Sequence, residues 1–89
     1  MSVLITTEVQ GQTQQGYDGL LGVLGPQIRR SPGFVLHTSF AVEGGWRVLE
    51  VWDTKAQANH FFARNVVPHL PPGIHPKRSV QDLHVLLAP

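Results

Sequence analysis

The chain contains no cysteine among its 89 residues, and only 15% of its side chains are charged. Without cysteine it can form neither a disulfide nor a thiolate-bound metal site. A domain of this size buries little surface on folding, and oligomerisation is the common remedy when those two devices are missing. The small charged fraction also leaves little surface that must stay hydrated. Both absences predict a single domain over residues 1–89 that associates with a partner.

Strong basicity and long apolar runs are missing as well. The net charge is +1, and the seven Lys and Arg residues are scattered along the chain, so no basic surface for nucleic acid is indicated. No apolar segment reaches the length that crosses a membrane. The opening segment MSVLITTEVQ lacks the basic start and the long apolar core of a signal peptide. We therefore expect a cytoplasmic protein with neither a nucleic-acid nor a membrane partner.

The first and last parts of the chain predict two strands and a helix. The β-branched and apolar segments from Ser2 to Val9 and from Val80 to Leu87 are typical of strands. Apolar residues at helical spacing begin at Tyr17 and predict a first helix. Pro26 removes one backbone hydrogen bond from this helix, which should be kinked and end near Arg30.

The middle of the chain predicts a hairpin followed by a second helix. Two strands, Phe34 to Val42 and Trp46 to Asp53, flank a Gly-Gly pair that can adopt positive φ in a two-residue loop, so that Glu43 opposes Trp46. A capping box formed by Thr54 with a glutamine three residues later starts the second helix. A Val-Pro pair near its end biases the chain away from helix. The order βαββαβ predicts an α+β, ferredoxin-like fold with a four-stranded antiparallel sheet.

Alternation along the strands divides the predicted sheet into two faces. The face that we expect beneath the helices is mostly aliphatic: Val3, Ile5, Thr7, Phe34, Leu36, Thr38, Phe40, Val42, Arg47, Leu49, Val51, Asp53, Leu83, Val85 and Leu87. The face that we expect away from the helices carries polar and aromatic side chains: Leu4, Thr6, Glu8, Val35, His37, Ser39, Ala41, Trp46, Val48, Glu50, Trp52, Val80, Asp82, His84 and Leu86. The apolar members of the second set exceed what monomers usually expose. Two copies of the sheet should pack together there and enclose a ligand cavity.

The segment from Gly33 to Leu70 resembles the antibiotic biosynthesis monooxygenase family of the dimeric α+β barrel superfamily. The matching pieces are the Pro-Gly-Phe entry into the second strand, the hairpin, the strand end Val-Trp-Asp-Thr, and the second helix with its phenylalanines and Val-Pro stop. The resemblance implies a homodimer formed through the sheet faces. It also implies kinship with oxygenases that need no cofactor and act on polyketide phenols or quinols. Haem-degrading oxygenases, isomerases and cyclases are similar in fold.

Some positions depart from the patterns of that superfamily. Its oxygenases often carry an asparagine near a pocket tryptophan, where this chain has Val48 and Glu50. Its haem-degrading members place an asparagine on the first strand, where this chain has Thr6 or Glu8, and a tryptophan on the second helix, where this chain has phenylalanine. The departures from the haem-degrading members argue against haem, although His69 is a possible axial ligand. The missing oxygenase asparagine favours the isomerase or cyclase alternative. We expect no cofactor.

The polar residues of the predicted cavity face supply candidates for catalysis and binding. An imidazole titrates near neutral pH, so His37 and His84 are candidate general bases, with Glu50 or Asp82 as a carboxylate partner. The candidate substrate-binding residues are Trp52, Ser39, Asp82 and Thr6. Trp52 would stack on a flat aromatic ligand. The structural alternatives are cross-strand hydrogen bonds for the histidines and interface packing for the tryptophan.

A metal site is disfavoured by the spacing of the remaining histidines. His60, His69 and His75 contain no pair at the i,i+4 helical spacing of zinc sites. The resemblance implies the function of a cofactor-independent monooxygenase for a small aromatic, phenolic or quinol-type ligand. Two alternatives use the same cavity: a metal-free isomerase or polyketide cyclase, and a dimeric module that binds a ligand without catalysis.

Overall fold

The computed structural model describes residues 1–89, and its elements follow the predicted order βαββαβ. The strands are β1 (Val3–Gln10), β2 (Phe34–Val42), β3 (Gly45–Trp52) and β4 (Lys77–Asp82), and the helices are α1 (Gln14–Arg29) and α2 (Lys55–Phe61). The strands form one antiparallel sheet in the order β2-β3-β1-β4. The fold is therefore α+β and ferredoxin-like. Neither helix combines the length and apolar character needed to cross a bilayer.

Side-chain caps start both helices. The Thr13 hydroxyl accepts a hydrogen bond of 3.1 Å from the backbone N–H of Gly16, so α1 starts earlier than the apolar spacing predicts and ends at Arg29. The Thr54 hydroxyl accepts a hydrogen bond of 3.1 Å from the backbone N–H of Gln57, which confirms the predicted cap of α2. Each cap satisfies a backbone donor that has no partner within the helix.

The predicted stop at the end of α2 is wrong. A π-helical segment (Phe62–Val66) and a 3₁₀ helix (Val67–His69) continue α2 without an interruption. Val67 keeps helical dihedral angles, with φ −53° and ψ −44°. Pro68 is the second residue of the 3₁₀ helix, and its ring holds φ near the helical value although it has no backbone N–H to donate.

The hairpin turn lies one residue earlier than predicted, and this shift does not change which residues of the two strands share a face. Val42 pairs with Gly45, so Glu43 and Gly44 form the turn, and Gly44 has a positive φ of 79°. The pairing has shifted by two residues, so side chains predicted to share a face still share it. Gly45 approaches β1 so closely that a Cβ atom there would collide with the carbonyl oxygen of Val9.

A bulge at Val35 changes the face of the residue before it. Phe34 pairs with Trp52, the register then shifts, and Leu36 pairs with Val51. The extra residue reverses the alternation at this point. Phe34 therefore lies on the same face as Trp52, and the two rings meet edge to face with centroids 5.5 Å apart.

The predicted orientation of the sheet is correct for β1, whose Val3 and Ile5 lie in the core beneath the helices. It is wrong for β3, for β4 and for β2 after its first residues. The face beneath the helices, here the helix face, contains Val3, Ile5, Thr7, Val9, His37, Ser39, Trp46, Val48, Glu50, Trp52, Arg78 and Val80. The core beneath α1 and α2 consists of Val3, Ile5, Ile28, Trp52, Ala58 and Phe61. Trp52 is 0% exposed, because burying an indole ring removes more apolar surface from water than burying an aliphatic side chain.

The opposite face, here the outer face, carries the residues of β2 and β3 that were expected in the core. It contains Leu4, Thr6, Glu8, Leu36, Thr38, Phe40, Arg47, Leu49 and Val51. Val51 is buried there, but Leu36 and Phe40 remain 40% and 43% exposed. The predicted last strand is also wrong in extent, because β4 ends at Asp82 and the segment from Val85 to Leu87 is exposed outside the sheet.

Candidate active site

A cavity of about 110 Å³, partly open to solvent, lies between the helix face and the helices. Its apolar lining includes Leu20, Leu21, Leu24, Phe61, Phe62 and Val66. Its polar and charged lining consists of Thr7, Gln12, Tyr17, His37, Glu50 and Arg78. The cavity is therefore formed within one chain, whereas the sequence predicted a cavity between two sheets.

Three polar side chains form a hydrogen-bonded chain at the cavity wall. The Tyr17 hydroxyl lies 2.5 Å from Nε2 of His37, and Nδ1 of His37 lies 2.6 Å from Oε2 of Glu50. Trp52 completes the arrangement from the core, because its indole N–H donates to Oε1 of Glu50 at 2.9 Å. We name the first three residues the relay: Tyr17, His37 and Glu50.

The relay determines the tautomer of a neutral His37. An ionised carboxylate only accepts hydrogen bonds, so Nδ1 carries the proton and donates it to Glu50. Nε2 then has a free lone pair and accepts the hydrogen bond that the Tyr17 hydroxyl donates. Every polar atom in the relay has a partner, which is the condition for keeping such groups in an apolar setting.

Sheet register and helix position explain how the relay forms. His37 and Glu50 are direct cross-strand partners on β2 and β3, where side chains of one face lie in contact. Both are enclosed, with side chains 19% and 18% exposed. Tyr17 comes from the start of α1, and its ring stacks on the Trp46 ring with centroids 5.3 Å apart.

Burial raises the pKa of Tyr17 above its ordinary value. A hydrogen bond from Ser39 lowers this pKa in part, whereas the negative charges of Glu50 and Asp18 raise it further. Loss of water around the phenolate disfavours the charged form, which is the dominant cause. Tyr17 therefore keeps its proton at neutral pH and remains a hydrogen-bond donor to His37.

Arg78 brings a positive charge to the cavity from β4. It pairs with Thr7 of β1, its Nη1 donates to the Asn59 side-chain oxygen at 2.9 Å, and its guanidinium lies 4.2 Å from the centroid of the Phe62 ring. Burial lowers the pKa of Arg78, and the negative charge of Glu50 offsets part of that shift. The two ion pairs of the chain are His37–Glu50 and Arg47–Glu8, so Arg78 has no carboxylate partner.

The structure brings together some of the predicted site residues. His37 and Glu50 are hydrogen-bonded at the cavity, and Ser39 follows His37 on the same face. Trp52 is enclosed by the core and does not line the cavity. It positions Glu50 instead, so the prediction that it forms the wall for a flat ligand is wrong.

Three other predicted members of the site lie elsewhere. Thr6 is on the outer face, because it pairs with Leu49 there. Asp82 is exposed at the end of β4, and His84 is exposed beyond it. The prediction that these residues share a cavity with His37 is wrong, because β4 stops before it can carry His84 along the sheet.

Sequence reasoning missed two residues that line the cavity. Tyr17 is the single tyrosine of the chain and lies on the apolar stripe of α1, so its hydroxyl had to meet the sheet once the helix packed. Arg78 precedes the predicted start of the last strand, and the actual strand begins at Lys77. An arginine two positions before Val80 shares its face, which is the signal that would have found it.

No three His, Cys, Asp or Glu side chains lie close enough together to hold a metal ion. His60, His69 and His75 are each exposed. The cavity therefore offers a proton acceptor, a carboxylate, a phenol and a guanidinium inside an apolar wall. Such a set can move protons and stabilise an anion.

Solved structures share this fold, although neither family models nor curated proteins include a match to the chain. A mutant of SnoaB, a cofactor-independent oxygenase from Streptomyces nogalater, superposes with a TM-score of 0.69 at 13% identity, over 97% of this chain and 96% of that one. Another SnoaB structure gives 0.65 at 15% identity, over 97% and 96%. A candidate monooxygenase from Shewanella loihica gives 0.58 at 7% identity, over 96% of each chain. Identities this low show a common fold alone.

Proposed function

We propose that the chain is a cofactor-independent monooxygenase that oxidises a small phenolic or quinol-type substrate in the cavity, with His37 as the general base. The observation that carries the proposal is the relay, which places an oriented imidazole beside an apolar cavity. The fold shared with SnoaB, itself a cofactor-independent oxygenase, supports the class of reaction.

The first step is removal of a proton from the substrate. Glu50 holds the Nδ1 proton of His37 and stabilises the imidazolium that forms, as the carboxylate does in other carboxylate–histidine pairs. Because the Tyr17 hydroxyl occupies Nε2, the proton travels through it. The substrate gives a proton to the Tyr17 oxygen while Tyr17 passes its own to Nε2. The raised pKa of Tyr17 favours its return to the protonated form.

The second step is addition of oxygen to the substrate anion. A ring carbon of the anion forms a bond with dioxygen, and the imidazolium returns its proton through Tyr17 to give a hydroperoxide. Loss of water then breaks the O–O bond and leaves a carbonyl. The substrate as a whole thereby loses four electrons, and the oxidised carbon is a ring methylene when the phenol reacts as its keto tautomer. One oxygen atom ends in the carbonyl and the other in water. The substrate supplies every electron, so no external reductant enters the balance.

The size of the cavity limits the enclosed part of the ligand to one ring. A closed apolar cavity of about 150 Å³ holds benzene, and this cavity of about 110 Å³ is partly open. A larger molecule would place one ring inside and extend the rest through the opening. Phe61 and Phe62 line the cavity, and they replace Trp52 as the aromatic wall.

A metal-free isomerase or cyclase is the second candidate. The observation that favours it is the relay itself, which is complete as a device for moving a proton out of a substrate and back. Proton abstraction followed by return to a different atom needs no oxygen. The two candidates share the base, the cavity and the first step. They differ only in whether the substrate anion then reacts with dioxygen or takes a proton back.

We also propose that the protein is a homodimer formed through the outer face. Leu36 and Phe40 expose apolar side chains along β2 there. Arg47, whose guanidinium lies 5.7 Å from the centroid of the Phe40 ring, pairs with Glu8 on the same face. A second copy of the sheet would cover this surface. In this arrangement each chain keeps its own cavity on the helix side.

Oxygen uptake with anthrone-like phenols and quinols tests the proposal. His37→Gln should lower the rate by about 100-fold or more, since a positioned acid–base group contributes 10²–10⁴-fold. His84→Gln is the matched control and should leave the rate unchanged, because His84 is exposed beyond β4. Product formed under argon would identify the isomerase or cyclase. Thermal stabilisation by these ligands without turnover would identify a binding module and overturn the proposal.

A further inference from the structure

A groove of about 890 Å³ lies outside the cavity, between α1 and the edge strand β2. Its walls include Gly22 and Gly25 of α1 and Phe34 of β2, and no Asp or Glu side chain lines it. His37 lines both the groove and the cavity. The two spaces therefore adjoin beside the base of the relay.

The end of the groove away from the relay is positively charged. Arg29 and Arg30 line it there, where α1 ends. The Nε atom of Arg30 donates to the carbonyl oxygen of Pro26 at 3.0 Å, which holds this guanidinium in place and leaves its two Nη groups free. Neither arginine belongs to the two ion pairs of the chain. Free guanidinium donors at the end of a groove are suited to bind a carboxylate.

The groove is apolar between its two ends and is about as long as an extended alkyl chain of moderate length. Its only polar side chains are those of His37, Arg29 and Arg30. Along α1, the lining runs from Leu21 to Arg30, which corresponds to about 14 Å of helix. The glycines in its wall carry no side chain, so a ligand can approach the helix backbone closely. A matching ligand has an apolar chain that ends in an anionic group.

We propose that the groove is a second subsite, which binds an extended apolar chain of the substrate whose terminal carboxylate pairs with Arg29 and Arg30. This inference rests on the proposed function, which places the ring of the substrate in the cavity. It names the substrate class more closely, as phenols or quinols that carry a long alkyl carboxylate. The chain leaves the cavity beside His37 and crosses Gly22 and Gly25 before it reaches the arginines. Binding of this non-reacting part holds the ring at the relay.

Binding of 8-phenyloctanoate and of the neutral 8-phenyloctan-1-ol tests the charged end of the groove. Calorimetry at neutral pH and low ionic strength should show that the wild-type protein binds the carboxylate about 10-fold more tightly. Replacing both arginines, Arg29→Gln with Arg30→Gln, should reduce this preference to about 2-fold or less. The matched control, Lys55→Gln with Lys77→Gln, removes two exposed charges elsewhere and should keep the preference.

Filling the groove is a second test, with a variant that should fold at least as well as the wild type. A Cβ atom at Gly22 meets nothing within 4 Å, and leucine favours a helix more than glycine does. Gly22→Leu therefore places a side chain in the groove without straining α1, and it should weaken the binding of 8-phenyloctanoate about 10-fold. Gly19→Leu is the matched control. Gly19 has the same free space but lines neither the groove nor the cavity, so this variant should bind as the wild type does.

The outcomes separate this inference from the proposed function, because phenol has a ring but no chain. Equal binding of the acid and the alcohol by the wild type, a preference that survives the two arginine substitutions, or unchanged binding by Gly22→Leu would each overturn the groove as a subsite. Binding of phenol would still support the cavity in these cases. Failure of phenol to bind, with the preference for the acid intact, would overturn the cavity as the ring site and leave the groove as an acid site.

Discussion

Glu50 determines the chemistry of the site through two neighbours. It accepts hydrogen bonds from the imidazole of His37 and the indole of Trp52, so both of its oxygens are occupied on the enclosed side of the sheet. A carboxylate in such a place is tolerated because it is paired. Trp52 thus contributes from the core, by holding the carboxylate that orients the His37 ring.

Tyr17 provides a direct test at the residue scale, because it is the single tyrosine of the chain. Burial raises its pKa, so the phenolate absorbance should rise with a midpoint above the ordinary value of 10.0. Spectrophotometric titration of the native protein measures this midpoint, and Tyr17→Phe should abolish the signal. A midpoint at or below the ordinary value would contradict the enclosed geometry.

The same pKa shift predicts how stability depends on pH. The folded protein holds the Tyr17 proton more tightly than the unfolded chain, so its contribution to the free energy of unfolding is fully present below pH 10 and is lost as pH rises through the folded pKa. The difference in unfolding free energy between the wild type and Tyr17→Phe, measured in urea at several pH values, should therefore narrow above pH 10. A difference that widens there would have the wrong sign.

At the scale of elements, the bulge at Val35 lets β2 serve the core and the site together. Phe34 and His37 both lie on the helix face, although they are three positions apart and strict alternation would place them on opposite faces. The extra residue reconciles the two demands, which is a common use of bulges beside active sites. Phe34 packs on Trp52, and His37 meets Glu50.

The start of α2 contributes to stability and positions part of the cavity. α2 and its π-helical extension carry Phe61, Phe62 and Val66, all of which line the cavity. Thr54→Ala removes the cap and should lower the free energy of unfolding by about 1 kcal/mol, measured in urea. Thr54→Ser keeps the hydroxyl and should cost much less, so equal losses from the two substitutions would show that the cap contributes nothing.

At the scale of the whole molecule, one face of the sheet is covered by the helices and the other face is not. The helices cover the helix face, whereas Leu36 and Phe40 expose apolar surface on the outer face. Sedimentation at micromolar concentration should therefore give twice the chain mass of 9.8 kDa. Phe40→Asp should shift the protein toward the monomer by placing a charge in the interface. Val23→Asp is the control, because Val23 is comparably exposed on α1. A single species of 9.8 kDa for the wild type would contradict the dimer.

Local patterns predicted the elements, and within the β2–β3 hairpin they predicted which residues beyond the bulge share a face. The strand order along the chain, the cap at Thr54 and the end of α1 follow from neighbours in sequence. Alternation predicted that His37 and Glu50 share a face, because every second residue of a strand points to the same side. The shift of the hairpin pairing by two residues does not change this. The bulge at Val35 and the early end of β4 did not follow, because neither leaves a signature in the alternation of side chains.

The amino-acid sequence by itself determined the ferredoxin-like order of elements and which side chains share a face within a regular strand, because helix capping and alternation are local. It did not determine which side of the sheet the helices cover, since alternation has the same period for either choice. Tertiary structure decided that question: β1 lies beside β3, which places Val3 and Ile5 on the face of Trp52 and Glu50. Only this packing brings Tyr17 from α1 and Arg78 from β4 to one cavity.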